Sequence, residues 1–232
     1  MDIDRSADGL SEQIAKLIAE QIISGELVEG ERIQELRIAK ELDVSRGSVR
    51  EALLLLQRTY LIEIYPRRGA IVSEMSAQQV RALFDTSIMV LGHLVQKSAE
   101  IWRQQDAQYM QTVIQALEER VNQHDIEHFY EEIFNFLAHQ TSRVENPYLA
   151  NIYRELLPSL RRAYFLTLNS SRRELQESFQ LIRLVIDAIL IRKPHQAALF
   201  IEDFCRHLRN LVLESLARMK QVELAWARRS RR

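Results

Sequence analysis

The stretch Val44–Leu53, which reads Val-Ser-Arg-Gly-Ser-Val-Arg-Glu-Ala-Leu, decides the fold of the N-terminal third of the chain. Ser45 is a good N-cap, because its hydroxyl can accept a backbone N–H two or three residues further on. Apolar residues from Val49 onward recur at helical spacing, which leaves Arg46 and Arg50 free to point outward. Polar side chains on the first turns of a helix that follows a short helix and a tight turn are typical of a DNA-recognition helix.

Two helices are predicted upstream of this stretch. Apolar residues at three- and four-residue intervals predict a helix over residues 10–24, and Gly25 ends it, because glycine readily takes the left-handed conformation of a C-cap. A short helix then carries apolar residues up to Leu42, and Asp43–Ser45 breaks it. The third helix, from Arg46, is expected to run to about Thr59.

Downstream of this helix the pattern changes to two short strands. Leu61–Tyr65 and Ala70–Ser73 have a β-favouring composition, and Pro66–Gly69 between them is a turn signal. We therefore expect a β-hairpin with a four-residue loop. Two helices, a tight turn, a third helix and a hairpin are the layout of a winged helix-turn-helix, in which the hairpin is the wing.

From Ser76 onward helical periodicity predicts helices only. After a first helix that Ser76 can cap, the predicted helices cover about 105–123, 127–143, 147–168, 172–192 and 195–228. Helices of this number and length make an antiparallel bundle. The fold class expected is mainly α, with a winged helix-turn-helix domain over residues 1–75 and an all-helical domain over 76–232.

Charge is distributed unevenly along the 232 residues. The formal net charge is −1, yet the segment from Arg32 to Arg68 holds eight basic residues against five acidic ones. A local basic face on a neutral protein points to a phosphate backbone more strongly than the overall charge does. Within this face we expect Glu51 to pair with a neighbouring basic side chain.

Other classes of protein are excluded or disfavoured. One cysteine excludes a disulfide framework and a cysteine zinc site, and Cys205 has apolar neighbours that indicate a buried, unreactive thiol. The residues form no catalytic constellation, so we do not expect an enzyme. Met1–Arg5 lacks an apolar core behind a basic start, and no apolar run reaches about 18 residues. We therefore expect no signal peptide, no membrane partner and a cytoplasmic location.

Residues 10–73 resemble the N-terminal domain of GntR-family bacterial transcription regulators. The matching segments include Gly30–Ile33, Val44–Arg46, Val49–Leu53 and Arg68–Val72, and the remainder of the chain resembles the FadR-type effector domain, called FCD. The resemblance implies a dimerising, effector-binding second domain and a homodimer that regulates transcription, for example as a repressor, from a palindromic double-stranded DNA operator.

The expected DNA contacts come from the resemblance and from the positions of polar residues. The resemblance implies Arg46, Arg50, Arg67, Arg68 and Gly69. The complete set of predicted DNA-binding residues is Arg37, Ser45, Arg46, Ser48, Arg50, Arg67, Arg68 and Gly69.

An alternative stays open at this point. Exposed arginines also occur on ordinary amphipathic helices, and the chain would then be a helical ligand-binding or protein-interaction module without sequence-specific DNA binding. Two departures from the family pattern bear on the DNA-binding interpretation. Gly47 stands where the family has Thr or Pro, which would loosen the start of the helix, and Glu29-Gly30 replaces Pro-Gly, a change we expect to be tolerated.

Many FCD domains hold a divalent metal with one Asp and three His. Aligned on Asn146-Pro147, two of these positions fall on Ile133 and Leu137, and a third falls near Ile182. Only His207 matches a family ligand, so we expect no metal and no cofactor.

In the first bundle helix, the usual Arg and Glu of the domain fall on Ser87 and about Leu91. Together with the metal-ligand positions they form the predicted effector pocket: Ser87, Leu91, Ile133, Leu137, Ile182 and His207. Such a pocket suits a hydrophobic, acyl-like small-molecule effector, or side chains simply fill the space. In another register Asn135, His139 and His207 would be three possible metal ligands.

Overall fold

The computed structural model describes residues 7–168 and 170–229. Met1–Arg5, where the sequence predicts no signal peptide, and residues 230–232 lie outside the described residues. The described chain forms two compact units. The first runs up to Ser76 and includes Glu155–Arg162, and the second contains the rest of the chain from Ala77.

The first unit is a winged helix-turn-helix, as predicted. Its elements are α1 (Ala7–Ile23), α2 (Glu35–Glu41), α3 (Arg46–Arg58), β1 (Ile62–Tyr65) and β2 (Gly69–Val72). The core of this unit lies between α1 and α3, where Ile14, Ile18, Val49 and Leu53 are almost fully buried. Burial of this apolar face is what drives the three helices together.

The hairpin loop is one residue shorter than the sequence predicts. Gly69 pairs with Tyr65 across the two antiparallel strands, so only residues 66–68 form the loop. Arg67 has a φ of 66° and Gly69 a φ of 81°, and left-handed residues of this kind let a short loop reverse the chain. The expectation of a four-residue loop was wrong because Gly69 belongs to the ladder.

The segment before α2 anchors the hairpin. The backbone N–H of Ile33 donates to the Ala70 carbonyl (2.9 Å), and that of Gly30 donates to the Val72 carbonyl (3.0 Å). Arg32 forms an isolated antiparallel bridge with Ile71. The wing is thereby tied to the residues that lead into the helix-turn-helix.

A buried arginine gives Glu29 a specific role in the first unit. The guanidinium of Arg162, which is 7% exposed, donates to the Ser73 carbonyl (2.7 Å) and to the Glu29 carboxylate (2.9 Å). The same carboxylate accepts the Met75 backbone N–H at 2.9 Å. The glutamate that departs from the family's Pro-Gly pattern thus partners a buried charge, which would otherwise be costly to bury.

The second unit is helical throughout its described residues, as predicted. Its helices are α4 (Ala77–Ile101), α5 (Ala107–Gln123), α6 (Ile126–Val144), α7 (Pro147–Phe165), α8 (Arg172–Leu190) and α9 (Pro194–Arg229), with a 3-10 turn at Gln104–Asp106. Residues 155–162 of α7 belong to the first unit. The predicted helices are confirmed, and α7 and α8 end two or three residues earlier than expected.

Side-chain caps mark where several of these helices begin. The Asp125 side chain accepts the His128 N–H, and the Asn146 side chain accepts the Tyr148 and Leu149 N–H groups. Ser171 caps α8 and forms a reciprocal capping box with Glu174. None of the described helices is long and apolar enough to cross a membrane.

Candidate nucleic-acid interface

Ser45 caps α3 and thereby directs its first turn. The Ser48 backbone N–H donates to the Ser45 hydroxyl oxygen at 3.0 Å, and the two hydroxyl oxygens lie 2.9 Å apart. Val49 is fully buried on the inner face of the helix. Arg46 and Arg50 lie on the outer face, with side chains 55% and 63% exposed.

Glu35, the first residue of α2, holds the two arginines together. Its carboxylate lies 2.9 Å from Arg50 Nε and 3.9 Å from Arg46 Nη2. Sequence reasoning missed this residue, because the contact joins two helices and no local spacing encodes it.

The partner of Glu51 also differs from the expectation. In the described part of the chain, its carboxylate accepts a hydrogen bond from the Ser11 hydroxyl at 2.8 Å. The predicted basic partner was wrong, because Glu51 lies on the side of α3 that packs against α1.

The wing brings its basic loop close to Arg32. A Cβ added to Gly69 would lie 3.6 Å from Arg32 Nε, which is an ordinary van der Waals contact, so the φ of 81° rather than a lack of space favours glycine there. The Arg68 guanidinium lies 5.8 Å from the centre of the Tyr65 ring. The Tyr65 hydroxyl donates to the Glu63 carboxylate, and this hydrogen bond raises the pKa of Tyr65. Arg67 and Arg68, the two arginines of the loop, are exposed.

A groove of about 640 Å³ joins α2, α3 and the wing. The charged side chains in its wall are Arg32, Glu35, Arg46, Arg50 and Arg67, and Gly69 also lines it. Leu36, 63% exposed, also lines it. The structure therefore gathers four of the eight predicted DNA-binding residues in one groove and adds Arg32, Glu35 and Leu36. We call this surface the α2–α3–wing groove.

The other four predicted residues lie outside the wall of the α2–α3–wing groove. Arg37 points along α2, 3.7 Å from Glu41. Ser45 and Ser48 bond each other at the helix cap, and Arg68 lies over Tyr65. Arg32 carried a usable sequence signal, since it belongs to the Gly30–Ile33 motif. The sequence offered no comparable signal for Glu35.

Five of the six residues predicted to line an effector pocket are packed into the second unit. They are Ser87, Leu91, Ile133, Leu137 and Ile182, none more than 3% exposed. The Ser87 hydroxyl donates to the Leu83 carbonyl at 2.7 Å. These side chains meet protein atoms in this structure, and the pocket stays a prediction.

His207, by contrast, is only half-buried and lies in the wall of a groove of about 700 Å³ between α5, α8 and α9. Its Nε2 is 3.0 Å from the Ser178 hydroxyl oxygen, which in turn donates to the Glu174 carbonyl. The Tyr130 hydroxyl lies 3.3 Å from the same oxygen. We call this surface the α5–α8–α9 groove.

The possible metal ligands have separate partners. His139 stacks on Tyr109, whereas His207 contacts Ser178, and Asn135 is exposed. Among the residues that the structure describes, no three His, Cys, Asp or Glu side chains come close enough to hold a metal ion.

Comparison with protein families identifies both parts of the chain. The model for bacterial regulatory proteins of the GntR family matches residues 10–72, and the FCD domain model matches residues 82–228. This chain belongs to the GntR family. It is a GntR-family transcriptional regulator with an FCD domain, and the family contains regulators rather than enzymes.

Relatives and solved structures agree with this family. The Gluconate operon transcriptional repressor of Bacillus subtilis is 24% identical over 197 residues, covering 79% of this chain and 80% of that protein. The HTH-type transcriptional repressor RspR of Escherichia coli is 33% identical over 72 residues, covering 31% of this chain and 32% of that protein. The structure of Escherichia coli McbR/YncC has a TM-score of 0.75 at 18% identity, covering 89% of this chain and 98% of that one.

Proposed function

We propose that this GntR-family regulator binds a palindromic DNA operator as a homodimer and that its FCD domain changes this binding in response to a small molecule. The observation that carries the DNA-binding part is the α2–α3–wing groove. Arg32 from the segment before α2, Arg46 and Arg50 from α3, and Arg67 from the wing loop converge there, against the single carboxylate of Glu35. Arginine forms bidentate bonds with guanine O6 and N7, and it also pairs with phosphates.

In this proposal the elements of the groove divide the recognition of DNA between them. The start of α3 enters the major groove and presents Arg46 and Arg50 to base edges. The wing loop, with Arg67 and Arg68, contacts the backbone or the minor groove. Leu36, exposed beside the arginines, suits contact with the methyl group of thymine.

A salt titration on DNA tests the proposal. Footprinting of the chain's own upstream region defines the operator, and fluorescence anisotropy then compares it with random duplex. A protein that neutralises phosphates loses affinity steeply as salt rises, because bound counterions are released. Absence of binding to either duplex at low salt would leave the alternative, a helical module for ligand or protein binding.

The homodimer is inferred from the small size of the interface between one recognition helix and DNA. One recognition helix buries too little surface for tight operator binding, and two half-sites related by a two-fold axis double the contacts. The second unit offers exposed apolar surface, since Met89 of α4 and Leu199 of α9 line one groove and are 76% and 59% exposed. We assign this surface to the partner subunit.

Sedimentation of one variant and one control tests the dimer. Met89→Glu places a charge on the proposed interface, and Ile152→Glu places the same charge on α7, where Ile152 is 45% exposed. The wild type and Ile152→Glu are expected to sediment as dimers at micromolar concentration, and Met89→Glu as a monomer. A wild-type monomer with full operator affinity would contradict the proposal.

Two sites compete for the effector, and their chemistry differs. The predicted pocket is apolar and suits an acyl-like effector. The wall of the α5–α8–α9 groove combines apolar side chains with Asn122, Gln176 and Gln180 and with Arg173, which is paired with Glu177 at 2.9 Å. The amide side chains suit the hydroxyl groups of a small sugar acid. Two of the relatives are named as repressors of gluconate operons, which makes sugar acids a reasonable class to test.

Thermal unfolding with two probes distinguishes these sites. A ligand that binds only the folded state stabilises it. D-gluconate is therefore expected to raise Tm if the effector binds in the α5–α8–α9 groove, and octanoate is expected to raise Tm if the effector binds in the apolar pocket. His207→Ala should abolish the D-gluconate shift. If neither D-gluconate nor octanoate raises Tm, both effector assignments fail, whereas the proposal of DNA binding is unaffected.

A further inference from the structure

Trp102 and His139 each bury a ring nitrogen that has no hydrogen-bond partner among the described residues. The atoms are Trp102 Nε1, just after α4, and His139 Nδ1, on α6. Both residues line one small cavity with a volume of about 10 Å³. Buried polar atoms in native proteins nearly always have a hydrogen-bond partner, either a protein group or an ordered water, because burying a polar atom without one costs free energy. Two of them at one cavity therefore point to a bound group.

Neighbouring side chains hold both rings in place. Tyr109 of α5 stacks on His139, with ring centroids 4.0 Å apart. The Arg192 guanidinium lies 5.3 Å from the centre of the Trp102 ring, and its Nη2 donates to the Trp102 carbonyl at 2.9 Å. These contacts restrict the orientation of both rings.

The charges around the cavity favour a neutral guest. Asp106 and Arg143 both line it, and they neutralise each other through an ion pair of 2.7 Å. Burial lowers the pKa of His139, Arg143 lowers it further, and Asp106 offsets only part of this shift. The imidazole is therefore uncharged at neutral pH, and the guest has no unpaired charge to neutralise.

We propose that this cavity, the Trp102–His139 site, binds one hydroxyl group, supplied by a water molecule or a small alcohol. The hydroxyl oxygen accepts the hydrogen bond of Trp102 Nε1. It meets His139 Nδ1 in either tautomer, since it can donate its hydrogen or accept with a second lone pair. The cavity, of about 10 Å³, has the volume of about one water molecule, so a water fits whole, whereas an alcohol fits with its hydroxyl group alone and its alkyl group has to lie outside.

Nuclear magnetic resonance of the tryptophan indole groups tests the site in the 232-residue protein. The chain has two tryptophans, so the spectrum of Trp102→Phe assigns the Trp102 indole signal. A bound water is expected to give a nuclear Overhauser contact between the Trp102 indole proton and water. A bound alcohol is expected to shift the same signal when methanol is added at low concentration.

Two histidine variants make the test specific. His139→Phe keeps an aromatic ring against Tyr109 but removes Nδ1, and it is expected to weaken the water contact or the methanol shift. His128→Phe changes an exposed histidine in the first turn of α6 and is expected to leave both unchanged. An indole signal at the position of a free N–H, with neither water contact nor methanol shift in the wild type, would overturn the proposal.

Discussion

Glu35 shows how one side chain sets the chemistry of the α2–α3–wing groove. A carboxylate near DNA repels phosphates, so its presence there has an electrostatic cost. It also orients Arg50 through a hydrogen bond of 2.9 Å, and an oriented guanidinium loses less freedom on binding a base. Since Arg50 is well exposed, the pair itself contributes little to folding stability. We therefore assign its effect to the proposed recognition of DNA.

Arg50→Ala is expected to weaken operator binding by about 1–3 kcal/mol and to relax the base preference at one position, because the variant loses a bidentate base contact. Anisotropy titrations at fixed salt, on the operator and on single-base variants of it, measure both effects. The matched control is Arg58→Ala in the last turn of α3, where Arg58 lies 3.7 Å from Glu155 outside the groove wall. Unchanged affinity of Arg50→Ala would remove this residue from the contacts.

Cys205 illustrates the opposite case, a side chain whose environment suppresses its chemistry. The thiol is buried, and burial raises the pKa of Cys205 to about 12. The thiolate is the reactive form, so almost none is present at pH 8. We expect the native protein to react with a thiol reagent only as fast as it unfolds, and the denatured protein to react at once. Rapid stoichiometric labelling of the native protein would contradict this.

Elements of this protein begin and end where local chemistry dictates. α3 begins at the Ser45 cap even though Gly47, a poor helix former, occupies its second position. The wing closes in three residues because Gly69, in the left-handed region, can both turn the chain and pair with Tyr65. Glycine therefore lowers the stability of α3 at position 47, whereas at position 69 it suits the left-handed backbone of the wing.

Gly47→Ala is expected to stabilise the protein by about 0.5–1 kcal/mol, because the position is helical and alanine loses less backbone entropy on folding. The added Cβ would lie 3.5 Å from the Ser45 hydroxyl oxygen, an ordinary contact. Urea denaturation measures the change. Gly25→Ala is the contrasting variant: Gly25 has a φ of 78°, and we expect destabilisation there although nothing lies within 4 Å of the new Cβ. Equal effects at the two positions would refute the argument.

The wing is expected to contribute affinity without selectivity. Arg68→Ala should weaken binding to all duplexes alike and reduce the slope of log affinity against log salt by about 1, because one phosphate contact is lost. Titrations on operator and random duplex at several salt concentrations give both numbers. A loss confined to one base pair would instead make the wing a reader of sequence.

At the scale of the whole molecule, the two units differ in how exposed their predicted binding residues are. The first unit presents an open groove with converging arginines. The second buries the residues that the family alignment places at a metal site, since Ile133, Leu137 and Ile182 are at most 2% exposed. Apolar side chains cannot ligate a metal, and a tight site needs three or four protein ligands.

We accordingly expect that EDTA leaves both Tm and operator affinity unchanged. Differential scanning calorimetry and anisotropy, each with and without the chelator, measure this. The informative contrary result is zinc or nickel at near-stoichiometric amounts by elemental analysis, lost in both His139→Ala and His207→Ala. That result would restore the register in which Asn135 and His139 are ligands.

Local sequence was sufficient for the elements and for the family. Apolar spacing, Ser45, Asn146-Pro147 and the hairpin turn located each helix and strand to within a few residues, because caps and amphipathic faces are properties of neighbouring residues. The pattern of Val44–Leu53 likewise identified the candidate DNA-reading helix, because a cap, an apolar face and outward arginines all lie within ten consecutive residues.

Only the tertiary structure revealed the contacts between elements. Glu35 meets Arg50 across 15 positions of sequence, and Arg162 meets Glu29 across 133. Trp102 and His139 share a cavity although they belong to distant segments of the chain. Such pairs depend on the angles and distances at which helices pack, and those follow from the burial of the whole apolar surface rather than from any local pattern.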